Sequence, residues 1–190
     1  MWETVNDLWV FLNDREARRM YRRDRNVFYR RLRDQCLLFH GVAQATMLHE
    51  EPFQFMRLGT ALERAGQTAR VLDVKYHSIG PTPEDESLEK PGDAAQWLAT
   101  LRFCSGVEPF LKREDNVLCG RAVASFLLFD PTFPRSVRHN LDRTANFLEL
   151  ICAPAPDRVA VRTRQVVAEA RDHLAKRDID AVLAEGLHAM

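Results

Sequence analysis

The sequence has little with which to span a membrane, cross-link itself or build a turn-rich sheet. No apolar run approaches the roughly 18 residues of a membrane-spanning helix. Cys36, Cys104, Cys119 and Cys152 are scattered without CxxC spacing. They read as reduced, buried small hydrophobes rather than a disulfide framework or a thiolate metal site. Eight glycines leave few tight turns for a β fold. There is no P-loop, HExxH or low-complexity tract, and the six histidines show no ligand spacing such as HxxxH, so neither a metal nor a cofactor is expected. A formal net charge of zero gives no bulk attraction to nucleic acid or to a membrane surface. The opening MWETVNDLWVF carries acids and no basic lead, so no signal peptide is expected and the protein is placed in the cytoplasm.

What is present is ordinary for a globular protein. Apolar residues make up 46% and charged residues 28% of 190 positions, enough for one domain over 1–190 with a real core. The apolar residues recur at steps of three and four along most of the chain, which predicts an all-α antiparallel bundle of about six to seven helices without a sheet. Residues 2–13 put Trp2, Val5, Trp9 and Leu12 on one face, a large apolar load for a short helix, and on that ground a homodimer is expected. The run 78–93, SIGPTPEDESLEKPGD, is acidic and proline-rich and predicts a mobile loop. Further helices are expected at 94–113, 115–129, 134–151 and 158–177, with a short one near 180–188. Val159, Val166, Ala170 and Leu174 share a face in the last long one. Cys104 and His77 suggest a thiol–imidazole pair only weakly, since nothing in the sequence brings them together.

The organising stretch is 51–77, EPFQFMRLGTALERAGQTARVLDVKYH. Acids at Glu50 and Glu51 and a proline at 52 suit a helix start. On a helical wheel Phe55, Leu58, Leu62, Ala65, Ala69, Leu72 and Tyr76 form a core face. Arg57, Arg64, Thr68 and Lys75 fall where water is expected. Between them runs a stripe of Gly59, Glu63, Gly66, Arg70, Asp73 and His77, spaced like the knobs of a helix seam. Glycine costs roughly 1 kcal/mol inside a helix, so two on one stripe suggest close approach by a backbone or a ligand. The reading is a polar site tucked inward, built from Glu63, Arg70, Asp73 and His77 and bordered by Arg64 and Gln67. It serves either as an ion-pair ladder between packed helices or as a ligand site.

Two other charged regions stand out. Arginines crowd 15–33, interleaved with Tyr21, Phe28 and Tyr29, a composition that could grip phosphates and stack bases. Asp14, Glu16, Asp24 and Asp34 are spaced to pair with them, so a solvated, ion-paired helix is expected and nucleic acid is disfavoured. At 134–151 the start PRSVRHN offers free backbone N–H groups with Arg135, Ser136 and Arg138, an anion-binding pattern that a chain carboxylate such as Asp130 fills equally well.

LERAGQTARVLDVKYH (62–77) resembles the signature of the alpha-E family, in which a Glu-Arg pair, here Glu63-Arg64, is the hallmark. The blocks at 39–59, 97–110, 126–141 and 179–188 also resemble family blocks, in family order. The family is longer, with an earlier half carrying another Glu-Arg motif, and this chain resembles the later half. Phe103 and Gly66 stand where the pattern has polar residues. The resemblance implies an all-helical fold. It also implies an accessory role beside an ATP-grasp ligase and a transglutaminase-like protein, in making or modifying peptides or amides. It supplies no catalytic residue.

Overall fold

Polar caps cut the chain into more helices than apolar spacing alone suggests. The structure, a computed structural model, describes residues 1–79, 91–113, 117–152 and 158–185, with the side chains at 76–79, 91, 158 and 183–185 outside the description. Helices are α1 (Trp2–Asn13), α2 (Arg15–Arg23), α3 (Arg25–Thr46), α4 (Glu51–Ile79), α5 (Pro91–Phe103), α6 (Val107–Leu111), α7 (Gly120–Phe129), α8 (Val137–Cys152), α9 (Arg158–Ala175) and α10 (Ile179–Glu185). The all-α expectation holds, and among the described residues there is no strand. Among the described residues there are ten helices rather than the six to seven expected, because short side chains interrupt them. Asp14 accepts from the Glu16 N–H at 3.2 Å, and Asp24 from those of Asn26 and Val27 at 2.9 and 3.1 Å. Both are N-caps that satisfy otherwise orphaned donors. Two of the four acids expected to pair with arginines therefore bind backbone instead.

The contacts group into two compact units, Met1–Phe53 and Gln54–Met190. In the first, α1, α2 and α3 pack on one another around Phe11, Ala17 and Ala43. Phe28 lies 6.0 Å from Phe11 and 5.3 Å from Tyr21, and the Arg31 guanidinium sits 4.0 Å above the Phe11 ring while pairing with Glu16 at 3.4 Å. Of the interleaved aromatics, Tyr21 carries an arginine on its face, the Arg25 guanidinium lying 5.2 Å from the ring centre. Cys36 is exposed rather than buried, and so are Leu37 and Leu38.

The second unit holds the large core. Val123, Leu127 and Leu128 of α7 are fully buried, surrounded by Leu72, Trp97, Leu101, Phe110, Phe133 and Val182. The apolar run Phe126 to Phe129 makes α7 the centre, as a helix buried nearly all round must be. α5 ends in a Schellman turn: the Gly106 N–H reaches the Leu101 carbonyl at 2.7 Å and the Ser105 N–H that of Arg102 at 3.0 Å. Ser105 takes the left-handed position, with φ of 53°. α8 starts at Val137, three residues later than expected, because the Ser136 hydroxyl accepts from the His139 N–H at 3.1 Å and caps it there. α7 starts at Gly120, behind a Cys119 thiol that accepts from Ala122. Helix also takes residues 78–79 and 91–93 of the expected loop, and the remainder, 80–90, lies outside the described residues. No helix among the described residues is long and apolar enough to cross a membrane.

Candidate functional site

The side of α4 that meets protein is not the one its largest apolar residues mark. Ala61, Ala65, Thr68 and Leu72 are buried, whereas Phe55 and Leu62 are about half exposed, at 52% and 48%. Small residues on one stripe let a helix approach its neighbours closely. The Thr68 hydroxyl, expected in water, donates to the Arg135 carbonyl just ahead of α8, at 2.8 Å.

This rotation overturns the inward polar seam. Glu63, Gln67 and Arg70 are exposed. Arg70 donates through Nε to the Gly66 carbonyl of its own helix at 3.1 Å, so it closes a local loop rather than a network. A Cβ built on Gly59 or on Gly41 meets nothing within 4 Å, so neither glycine marks a close approach. At Gly66 it meets only the Arg70 guanidinium, at 3.2 Å, a flexible end that can move. Asp73 is half-buried, and the His77 side chain lies outside the described ones. The expected core face is right at Ala65 and Leu72 but turned at Phe55 and Leu62, because burial centres on the stripe that Ala65 and Leu72 share with Ala61 and Thr68.

The same rotation turns Arg64 inward. Burial lowers the pKa of this half-buried guanidinium, and Arg135, Arg57 and Arg143 push it further down by like-charge repulsion. For Arg57 the causes are burial and then Arg143. Arg57 and Arg143 share one support: their guanidinium carbons lie 5.5 and 4.9 Å from the centre of the Phe147 ring. Helix spacing places Arg57 and Arg64 two turns apart on α4, and α8 with its leading turn supplies the other two. Sequence reasoning grouped Arg57 with Arg64 but assigned both to solvent. It missed Arg143 altogether, because no local pattern links it to α4.

The expected anion trio at 135–138 divides. The Ser136 side chain is consumed by capping and by donating to the Asp130 carbonyl. Arg135 joins the arginine group. Arg138 is exposed and lines a hollow of about 490 Å³ with Asp142 and Arg171, which pair at 2.8 Å. The Asp130 carboxylate binds its own turn, accepting from the Thr132 and Phe133 N–H groups at 2.8 Å each and from Arg113 Nε at 2.8 Å. Beneath Thr68, the Cys104 thiol is buried, and burial pushes its pKa up against the opposing pull of Arg135 and Thr68. A thiol held protonated is a poor nucleophile. Leu58, Leu62, Leu148, Val159 and Val166 line an open apolar groove of about 620 Å³. Val159 and Val166 of the expected α9 core face are therefore exposed, and Leu174 alone of the larger residues on that face is buried. Among the described residues no group of three or more His, Cys, Asp or Glu is placed to hold a metal.

No curated protein and no solved structure matches the chain. Its one Glu-Arg dipeptide sits mid-helix in α4, with Glu63 facing out and Arg64 drawn in among other arginines. That placement gives structural meaning to the family model that matches residues 1–190, a predicted alpha-helical domain with a conserved ER motif, and the chain belongs to this Alpha-E family.

Proposed function

We propose that this protein is a non-catalytic interaction protein, an accessory to an ATP-grasp and transglutaminase-associated system that makes or modifies peptide or amide bonds. The outward face of α1 carries the reading. Trp2 is 76% and Trp9 64% exposed, with Val5 and Leu12 between and beyond them on the same face. Covering an indole of this size is worth roughly 2–4 kcal/mol. Monomeric surfaces seldom leave two on one short helix without a partner. A second copy of the chain is the first occupant, and the ligase or transglutaminase-like protein docks on the assembled pair.

Light scattering behind size exclusion at micromolar concentration tests this. Wild type runs at twice the monomer mass and retains a purified ATP-grasp ligase, while the Trp2→Ser/Trp9→Ser double variant is monomeric and folded. A wild type that is monomeric and leaves the ligase unbound and fully active refutes the reading.

A further inference from the structure

We infer that Arg57, Arg64, Arg135 and Arg143 form a binding site for a multiply charged phosphate group, free or carried on a nucleotide. The inference stands apart from the α1 docking face, since it rests on different residues in the other unit.

The four guanidiniums come from α4 and from α8 with its leading turn, which Thr68 ties to α4 through the Arg135 carbonyl. Phe147, itself 8% exposed, supports Arg57 and Arg143 on a single ring. All four arginines are half-buried, unlike the exposed arginines of α2 that water screens; a further half-buried arginine, Arg164, is matched to Glu149 at 3.1 Å. Among the described residues no ion pair joins Arg64, Arg135 or Arg143 to a carboxylate. Like charges gathered at a half-buried place destabilise the folded chain, and the burial-lowered pKa of Arg64 is consistent with that strain. Natural proteins keep such a cost where it serves a ligand. Guanidinium forks bind oxyanions in bidentate fashion, and a group of this charge is neutralised by a phosphate or diphosphate far better than by one carboxylate.

Calorimetry at fixed ionic strength tests the site with inorganic pyrophosphate, ADP and citrate as separate arms. Wild type is expected to bind pyrophosphate saturably. Arg64→Gln and Arg143→Gln are each expected to weaken it at least tenfold, with Arg18→Gln, in the other unit, unchanged. Tighter binding of ADP than of pyrophosphate assigns the phosphate to a nucleotide; equal or weaker binding assigns it to the free anion. A purely structural Arg64 moves a different readout. On the site reading, anion-free Arg64→Gln melts at or above the wild-type temperature, since repulsion is relieved. Absence of saturable binding to pyrophosphate and ADP, preference for citrate, or variants that bind like wild type overturns the inference. Arg143→Gln carries the same decision if Arg64→Gln fails to fold.

Discussion

Ser105 shows how a single residue can sit against its own preference. The Schellman turn after α5 needs a left-handed residue, and the chain puts serine there with glycine one place later. Left-handed backbone costs an L-residue roughly 1–2 kcal/mol, and glycine escapes most of that. Ser105→Gly is therefore expected to stabilise the protein by up to about 1 kcal/mol, read as a raised midpoint in thermal unfolding. Gly106 is not interchangeable with it. A Cβ there meets Phe133 at 3.1 Å, inside the packed core. Apolar spacing ran one helix over 94–113, through Ser105-Gly106, whereas the chain turns there between α5 and α6; which of the two residues takes positive φ depends on where Phe133 comes to lie. The same limit applies to Arg64: its charge is plain from the sequence, and its partners are not.

At the level of elements, the junction between α7 and α8 is held by polar side chains as well as by Phe133, which stacks on Phe126 at 4.7 Å. Asp130 closes it through the N–H groups of Thr132 and Phe133 and through Arg113, while Asn140 donates to the carbonyls of Pro134 and Ser136 at 3.1 and 2.7 Å. Burial raises the Asp130 pKa, but the hydrogen bonds from Thr132, Phe133 and Arg113 outweigh it, so the carboxyl lies below its ordinary value. A group depressed in the folded state adds stability above its unfolded pKa and loses it as pH falls through the folded one. Asp130→Ala should cost about 2 kcal/mol near neutrality. The gap to wild type should narrow below about pH 4. Chemical denaturation of both proteins across that range checks the sign, and a gap that widens in acid contradicts it. Helices and their approximate spans were legible here from apolar spacing. The caps at Asp14, Asp24 and Ser136 were not read as such, because Asp and Ser also serve as ion-pair partners and ordinary surface residues.

Across the whole molecule the apolar burial is uneven. Met1–Phe53 closes on Phe11, Ala17, Ala43 and Phe53, whereas Gln54–Met190 holds the large cluster centred on α7. Opening free energy follows local burial. Amide hydrogen exchange, followed at a concentration low enough to keep chains apart, should therefore be faster throughout α1–α3 than in α7. Equal protection in the two units would mean that burial does not set their relative stability. Length limits how large a core can be without saying how burial is shared along the chain.

By itself, the sequence determined that this protein is helical, where most helices lie, and that it carries the Glu-Arg motif, since apolar period and residue identity are local properties. Only the tertiary structure decided which way α4 turns. Alanines and a threonine permit a closer fit than phenylalanine and leucine, and that choice sent Glu63 and Arg70 outward while it drew Arg64 toward Arg57, Arg135 and Arg143. A helix can present either face to a neighbour, and the neighbour is set by residues far away in the chain.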